Sequence, residues 1–433
     1  MLFCEGEKEM LLIVNGTIIN PKSNQMETMD LLIHEGRIGL VGVNLIDFTN
    51  DLAGQNASDI EIIDAKGFYI TPGFIDLHVH LREPGFENKE TIYSGSRACA
   101  KGGYTSVVCM PNTKPALDNV ETIEKLKKTI EEDSVISIYP TGAITVGIAG
   151  EVMSDHEALL QSGVVALSDD GRTTMNQDYM RNVFKVASAY NRPVMTHSED
   201  HELTVNFKET IFPTEAESNI VERDIALCKE VGGILHVSHV STKAAIDAIA
   251  LGKAANIKLT CEAAPHHFAL SDERVDMASN YSKVSPPIRS ETDRKYLVEA
   301  IKKGVIDVIA TDHAPHEKES KLGSYAAASF GISGIESAFS VSYQALVNSG
   351  EISLMHLIRM LTINAAQIAR LKEVGSIEVG FFADLTIIDL DPEVIIDSAT
   401  FISKGKNTPF NGYIGKGKVV MTIHHGKKVY QKN

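Results

Sequence analysis

The chain has 433 residues, of which 43% are hydrophobic and 23% are charged. This length exceeds what one hydrophobic core usually holds, so we expect one large domain with a smaller one, and the ordinary composition argues against extended disorder. The formal net charge of −16 argues against nucleic acid and anionic membranes as partners, so an anionic substrate would need a local cation.

The N-terminal segment does not resemble an export signal. Acidic residues precede a very short apolar run, and no apolar stretch of the sequence reaches membrane-spanning length. The five cysteines are odd in number, far apart and without C-x-x-C spacing, which argues against a disulfide framework and a cysteine zinc site. We therefore expect a cytoplasmic protein without a membrane partner.

Both chain ends carry short β-rich runs that are broken by glycine and asparagine. Residues 10–70 contain LLIVNGTII, and residues 374–431 contain ADLTIIDLD. Neither end alone makes a convincing core, but chain termini often lie close together. We therefore expect a small β-sandwich built from residues 1–71 and residues 373–433.

Between these ends, residues 72–372 alternate apolar runs with helical patterns. Segments such as ETIEKLKKTIEED repeat apolar residues every three or four positions, which is typical of amphipathic helices. We count eight strand-like runs, at residues 74–80, 104–111, 135–144, 164–170, 193–199, 233–240, 256–265 and 307–315. Eight such repeats predict an α/β fold, a (β/α)8 barrel of the TIM type.

The first barrel run ends in GFIDLHVHLREPG, which places His78 and His80 two residues apart. Residues i and i+2 of a strand share a face, so both imidazoles could bind one metal ion. Taken alone this is a weak signal, because the chain has fifteen histidines and two half-exposed polar residues would give the same pattern.

Polar residues also end the other runs, where barrels of this type carry their active sites. These strand-end residues include Asn112, Asp170, His197, His239, His266 and Asp312. Imidazole and carboxylate are the ligands expected for zinc or a similar divalent ion, and four histidines with two aspartates would accommodate two ions.

Two of the strand ends allow a finer prediction. His236 lies three residues before His239 and faces the opposite side of its strand, so His236 is expected to be structural. Asp312 could contact a metal ion and still take a proton from bound water, which makes it the best candidate for a general base.

Several motifs together resemble those of the class I bacterial dihydroorotases of the amidohydrolase superfamily. They are DLHVHLREPG, MPNTKP at 110–115, ALSDDG at 166–171, HVSTK at 239–243, APHH at 264–267 and IATDHAPH at 309–316. The motifs occur in the order of the family and span nearly the whole chain.

The resemblance implies two zinc ions per chain with a hydroxide between them. The implied ligands are His78, His80, Asp170, His197, His239 and Asp312. Related hydantoinases bridge their metals with a carbamylated lysine, but residues 166–176 contain no lysine, so the resemblance puts Asp170 in the bridging place. A plain Asp-Gly turn is the alternative for Asp170.

Arg82 and Asn112 suit a substrate carboxylate. Arg82 has the strand parity of His80, and its planar guanidinium matches a carboxylate, to which Asn112 could add hydrogen bonds. A lone loop arginine is usually only solvated, but this one lies beside two metal ligands. The resemblance adds His316 as a further carboxylate contact.

Three more positions complete the predicted substrate site. Ser285 begins SPPIR where the family usually has N-P-P-L-R, and serine cannot reproduce the paired donor and acceptor of an amide, which bears on affinity and pyrimidine-ring selectivity. Phe330 and Gly331 end the segment 316–331, whose composition suits a mobile loop over the site and equally an ordinary exposed connection.

The implied reaction is the reversible opening of the cyclic amide of L-dihydroorotate to N-carbamoyl-L-aspartate in de novo pyrimidine (UMP) synthesis. Two alternatives stay open: another cyclic amidase, such as a hydantoinase or allantoinase, and an inactive structural partner of aspartate transcarbamoylase. Such inactive proteins typically lack metal ligands, whereas all the expected ligands are present here. We also expect a homo-oligomer, with association with aspartate transcarbamoylase left open.

Overall fold

The computed structural model describes residues 10–47, 60–205, 212–277 and 279–432. Parts of the predicted terminal segments, including Cys4 and the acidic N-terminus, lie outside the described residues. The fold has two parts, a sheet that combines both chain ends and a closed barrel of parallel strands.

The strands and helices follow one another in regular alternation through the middle of the chain. The strands are β1 (Met10–Asn20), β2 (Gln25–His34), β3 (Arg37–Gly42), β4 (Ile60–Asp64), β5 (Tyr69–Pro72), β6 (Phe74–Val79), β7 (Tyr104–Cys109), β8 (Ser137–Pro140), β9 (Val194–Thr196), β10 (Leu235–Val237), β11 (Leu259–Ala263), β12 (Val308–Ile309), β13 (Leu385–Ile395), β14 (Ile414–His424) and β15 (Lys427–Gln431). The α-helices are α1 (Ile92–Lys101), α2 (Val120–Asp133), α3 (His156–Gln161), α4 (Gln177–Ala189), α5 (His201–Thr204), α6 (Glu215–Val231), α7 (Lys243–Ala254), α8 (Pro265–Ala269), α9 (Glu291–Lys302), α10 (Ala338–Ser342), α11 (Leu354–Leu361) and α12 (Ile363–Ala369).

Strands from both chain ends form one eight-stranded sheet in the order β15-β14-β13-β5-β1-β2-β3, with β4 also paired to β1. The join between the ends is antiparallel, because Leu385 of β13 pairs with Pro72 of β5. Alternating apolar residues of these strands, such as Ile13, Leu31 and Ile387, form a core of their own. The predicted small β domain is therefore confirmed, while its exact limits stay a prediction.

The barrel consists of two parallel sheets that meet through isolated bridges. Strands β6 to β8 form one sheet and β9 to β12 the other. Leu167 bridges Gly142 and Val194, and Val79 bridges His313, so the ring of strands closes. The predicted (β/α)8 architecture is confirmed.

The fourth predicted run, residues 164–170, differs from the prediction because it does not form a regular strand. Only Leu167 pairs with both neighbours. The chain already turns directly after it, since the amide of Asp170 donates to Ser168 Oγ at 3.0 Å and that of Arg172 to the carbonyl of Asp169 at 2.9 Å.

The faces of β6 show how the barrel positions its polar residues. Ile75 and Leu77 belong to a buried apolar cluster that includes Ala365 of α12, so the alternate positions Asp76 and His78 lie on the other face.

Among the described residues, every helix falls short of the length and apolarity that a membrane span requires.

Candidate metal centre and active site

A cavity of about 350 Å³ lies at the carboxyl ends of the barrel strands. The predicted site residues that line it are His80, Arg82, Asn112, Asp170, His197, His239, Ser285, Asp312, His316, Phe330 and Gly331. His78, which is 1% exposed, lies behind them with its Nε2 atom 3.2 Å from Asp170 Oδ1. The structure thus brings all the predicted site residues together.

Asp170 lies at the centre of the four predicted histidine ligands. Its Oδ1 atom is 3.2 Å from His78 Nε2, 3.7 Å from His197 Nδ1 and 3.8 Å from His239 Nε2. Its Oδ2 atom is 3.4 Å from His80 Nε2. The two oxygens therefore face different histidines, which is the placement that a bridging carboxylate needs.

Asp312 completes the second side of this cluster. Its Oδ1 atom is 3.0 Å from His80 Nε2 and 3.6 Å from His78 Nε2. The donor atoms of His78, His80 and Asp312 lie within 4.8 Å of one another, and so do those of His78, Asp170 and His239. These two overlapping groups share His78.

Neighbouring acceptors fix which nitrogen of His78 and of His80 faces the cluster. His78 Nδ1 lies 2.7 Å from Glu262 Oε1, and His80 Nδ1 lies 2.9 Å from Asn112 Oδ1. Each Nδ1–H donates to its oxygen, so the lone pair of Nε2 points at the metal centre.

His197 is turned the other way round. Its Nε2 atom lies 3.3 Å from Glu199 Oε2, so its Nδ1 atom faces the cluster, 3.0 Å from His239 Nε2. Burial and the neighbouring His197 and His78 lower the pKa of His239 to about 3, which keeps this imidazole neutral. A neutral imidazole is the form that binds metal ions.

The donor set fits a divalent metal centre. His78 Nε2 and Asp170 Oδ1 are buried, and within the described part of the chain neither has a hydrogen-bond partner. Burial raises the pKa of Asp170, but the neighbouring imidazoles of His78, His197 and His80 lower it well below its usual range. A cation at this position would satisfy atoms that are otherwise costly to bury.

The substrate side of the cavity is positively charged. Arg82 Nε donates to the carbonyl of Pro315 at 3.2 Å, and its Nη2 atom lies 3.3 Å from His316 Nε2. Burial lowers the pKa of Arg82 only to about 10, so the guanidinium stays charged at neutral pH. This is the local cation that a strongly acidic protein needs to bind an anion.

His316 and Ser285 make contacts that their sequence positions do not reveal. His316 Nε2 lies 2.8 Å from the carbonyl of Phe330, and Ser285 Oγ donates to Glu199 Oε2 at 3.0 Å. Asn112 has two contacts, since its Nδ2 atom also lies 3.5 Å from Asp170 Oδ2. It therefore orients a metal ligand as well as lining the cavity.

Two carboxylates of the site were not predicted from the sequence. Glu262 accepts from His78, from His236 Nε2 at 3.0 Å and from the amide of His239 at 3.2 Å. Glu199 accepts from His197, Ser285 and Thr204. A carboxylate inside an apolar run was the available signal for Glu262, because such a group is buried only with partners.

The hydrogen bonds of His236 confirm its predicted structural role. Its two ring nitrogens contact Thr260 Oγ1 and Glu262 Oε2, at 2.8 Å and 3.0 Å. His266 is buried and does not line the cavity. Cys261 is a buried strand residue, as expected.

Comparisons with known proteins show the family of the chain. The profile of the "Amidohydrolase family" matches residues 69–429. A protein named dihydroorotase from a Thermoanaerobacter species is 40% identical over 436 residues, which cover 98% of this chain and 98% of the relative. A dihydroorotase from Bacillus cytotoxicus is 41% identical and covers 97% of this chain and 98% of the relative.

Solved structures show the same fold at lower identity. The L-hydantoinase (dihydropyrimidinase) from Arthrobacter aurescens has a TM-score of 0.87 at 23% identity and covers 98% of this chain and 96% of that one. The dihydropyrimidinase from Brevibacillus agri has a TM-score of 0.85 at 23% identity, with 98% and 95% covered. The sequence relatives and the shared fold together show that the chain belongs to the amidohydrolase family and, within it, to the family of the dihydroorotases.

Proposed function

We propose that the chain is a dihydroorotase, a cyclic amide hydrolase that interconverts L-dihydroorotate and N-carbamoyl-L-aspartate in pyrimidine synthesis. The observation that carries this proposal is the half-buried, charged Arg82 in the same cavity as the donors Asp170 and Asp312. A cyclic amide that bears a carboxylate would satisfy both sides of the cavity, and dihydroorotate is such a molecule. The names of the relatives that are about 40% identical support the choice.

We propose two zinc ions for the metal centre. The six N and O donors exceed what one tetrahedral ion needs, and the two oxygens of Asp170 face different histidines. His78 Nε2, His80 Nε2, His197 Nδ1, His239 Nε2, Asp170 and Asp312 would hold the ions. When bound, such ions lower the pKa of water and polarise a carbonyl oxygen.

The protein residues then orient the substrate and move the proton. Arg82, with Asn112 and His316, holds the substrate carboxylate, which places the ring amide at the metal centre. Asp312 accepts the proton of the attacking water at its carboxylate and delivers it to the leaving ring nitrogen. Microscopic reversibility gives Asp312 the opposite task in ring closure.

The alternatives fit less well. A hydantoin carries no carboxylate for Arg82, and the likeness to hydantoinases at 23% identity shows the fold alone. An inactive structural protein would not need six converging metal donors. A homo-oligomer, an association with aspartate transcarbamoylase and a cytoplasmic location stay predictions.

The Arg82→Met variant tests the substrate assignment. It should retain the metal content of the wild type while kcat/KM for dihydroorotate falls by roughly 10 to 150-fold, since a charge-assisted hydrogen bond contributes about 1.5 to 3 kcal/mol. Metal analysis and assays with dihydroorotate, hydantoin and allantoin are run side by side on both proteins. Normal kcat/KM for dihydroorotate in the variant, or faster turnover of hydantoin by the wild type, would refute the proposal.

A further inference from the structure

The loop at residues 316–331 is held down by a buried lysine. Lys321 ends a 3-10 turn at Lys318–Lys321, and it is only 2% exposed. Its ammonium donates to the carbonyls of Ser329, Asn280 and Lys283, at 2.7, 3.2 and 3.3 Å. An ammonium has three N–H donors, so these three carbonyls use all of them.

The carbonyls belong to two segments that the lysine ties together. Ser329 lies in the loop itself, whereas Asn280 and Lys283 lie in the segment that leads to Ser285. The tie is reciprocal, because Asn280 Nδ2 donates to the carbonyl of Lys321 at 2.9 Å and the amide of Gly331 donates to the carbonyl of Lys283 at 3.0 Å. The loop is therefore docked on this segment.

Lys283 makes the matching contacts from the other side. Its ammonium donates to the carbonyls of Tyr325 and Ala326, at 2.7 and 3.1 Å, and lies 4.4 Å from the centre of the Phe330 ring. Among the described residues, the ion pairs of the structure include neither Lys321 nor Lys283. We name Lys321 and Lys283 with these carbonyl contacts the lysine clasp.

A short series of contacts connects the lysine clasp to the substrate side of the cavity. Phe330 and Gly331 line the cavity, and the carbonyl of Phe330 lies 2.8 Å from His316 Nε2, which in turn lies 3.3 Å from Arg82 Nη2. The two clasp lysines are close enough to act electrostatically on one another. Burial contributes most to the lowered pKa of His316, and the positive charges of Arg82, Lys89 and Lys321 lower it further.

We infer that Lys321 and Lys283 are positioning residues for substrate binding: they dock loop 316–331 over the cavity and fix His316 beside Arg82. This inference rests on the proposed dihydroorotase function. Neither lysine contacts the metal donors, so their loss affects the binding of the carboxylate and leaves the metal centre intact.

The test uses Lys321→Met in the metal-loaded, full-length protein. Methionine keeps an unbranched chain of similar length but donates no hydrogen bond. We expect the KM for dihydroorotate to rise by about tenfold with kcat reduced much less, as for lost uniform binding. Without substrate, chymotryptic cleavage at residues 322–330, mapped by mass spectrometry, should accelerate by about tenfold because the loop opens locally.

Lys318→Met is the matched control, because Lys318 lies on the same turn and is exposed. It should leave KM and cleavage unchanged. Equal cleavage in both variants, or a loss of kcat and metal content with unchanged KM, would overturn the inference. If Lys321→Met does not fold, Lys283→Met takes its place with the same expected results. Failure of the wild type to turn over dihydroorotate would refute the proposed function. The cleavage rates would still test whether the lysine clasp docks loop 316–331.

Discussion

Asp312 has a backbone conformation that residues other than glycine rarely adopt, with a φ of +48°. His239 and Arg82 share this feature, with φ values of +35° and +66°. Such conformations cost about 1 to 3 kcal/mol each and persist where the surroundings hold them. All three residues lie at strand ends in the same cavity, so the strain coincides with the residues assigned to proton transfer, metal binding and substrate binding.

The Asp312→Asn variant should lose chemistry and keep its metals. Asparagine preserves the shape and one oxygen ligand but lacks a basic carboxylate, so kcat should fall by about 10² to 10⁴-fold. Metal analysis and steady-state kinetics check this. Burial raises the pKa of Asp312, but His80 and His78 lower it well below its usual range. Asp312 is therefore ionised at neutral pH, so the expected rise of the wild-type hydrolytic rate with pH, which then levels off, belongs to the coupled metal centre and not to Asp312 by itself.

If Asp312→Asn retains most of its hydrolytic rate at full metal occupancy, Asp312 is not the proton carrier.

Glu262→Gln should weaken metal binding. Glu262 accepts three hydrogen bonds, two of which hold His78 and His239. The NH2 group of a glutamine would face at least one of the three N–H groups that donate to Glu262, so that hydrogen bond would be lost. Loss of such a supporting carboxylate typically costs about 10 to 100-fold in metal affinity. Zinc affinity is measured by competition with a chelator.

Glu217→Gln is the control for Glu262, because Glu217 is equally buried and accepts from Ser241 and Thr242. It should lower stability without changing zinc affinity. Equal zinc affinity in Glu262→Gln and the wild type would show that Glu262 serves packing alone.

The residues that sequence predicts best are those whose spacing carries the information. His78 and His80 share a strand face because of their separation, whatever the rest of the fold does. Glu262 escaped prediction because its role depends on a contact with His78 between β11 and β6, which are not neighbours in the ring of strands. The same holds for Glu199, whose partner Ser285 is far away in the chain.

Loops, more than strands, bring the substrate residues together. The loop that follows β6 carries Arg82, and the loop that follows β7 carries Asn112. They touch at Gly85, where the amide of Lys114 donates to the carbonyl of Pro84 at 2.9 Å. Gly85 has a φ of +94°, and a Cβ atom there would lie 1.9 Å from the Lys114 carbonyl oxygen. Only glycine permits this approach.

Gly85→Ala should therefore separate the two loops and raise the KM for dihydroorotate. Gly67→Ala is the matched control, since Gly67 has a φ of +84° with nothing within 4 Å of the added Cβ. The control should lose about 1 to 2 kcal/mol of unfolding free energy from its conformation alone, with KM unchanged. Denaturant unfolding and kinetics compare the two variants, and identical losses with normal KM in both would contradict the proposed loop contact.

At the level of elements, the repeat pattern predicts the barrel, but it overestimates the fourth strand. Apolar residues at 164–167 read as a strand, yet the chain turns directly after them, where Ser168 Oγ accepts from the amide of Asp170 and the carbonyl of Asp169 accepts from the amide of Arg172. Competition between side chains and the sheet ladder is local and visible only in the fold. Sequence alone also could not show whether loop 316–331 is mobile or an ordinary exposed connection, because the lysine clasp that holds it includes Lys283 and Asn280 from another segment.

The whole molecule is acidic, with a net charge of −16, yet Arg82 lines its cavity, and Lys89 and Lys321 lie close enough to act electrostatically on Arg82. Long-range repulsion of an anion is screened by salt, whereas buried charges are screened much less. The overall charge and the local charge should therefore respond differently to ionic strength.

The KM for N-carbamoyl-L-aspartate, which has two carboxylates, should fall relative to that for dihydroorotate, which has one, as salt increases. A change of about two- to threefold is expected between 0.01 and 0.2 M, the range over which distant charges become screened. Both values are measured at constant pH in two different sodium salts. If the ratio of the KM for N-carbamoyl-L-aspartate to the KM for dihydroorotate rises with salt, the cavity cations dominate the encounter with the substrate.

The direct connection between β5 and β6 affects the order in which parts of the fold become available during synthesis. Only Gly73 separates the two strands, and its amide donates to the carbonyl of Asp384 at 2.8 Å. β5 is therefore flanked by β13 just before β6, which carries His78 and is followed by His80. On the ribosome, those histidines emerge long before Leu385 is synthesised. A product truncated after Asp312 would therefore contain every proposed metal donor but would lack β13, the strand that pairs with β5 beside them.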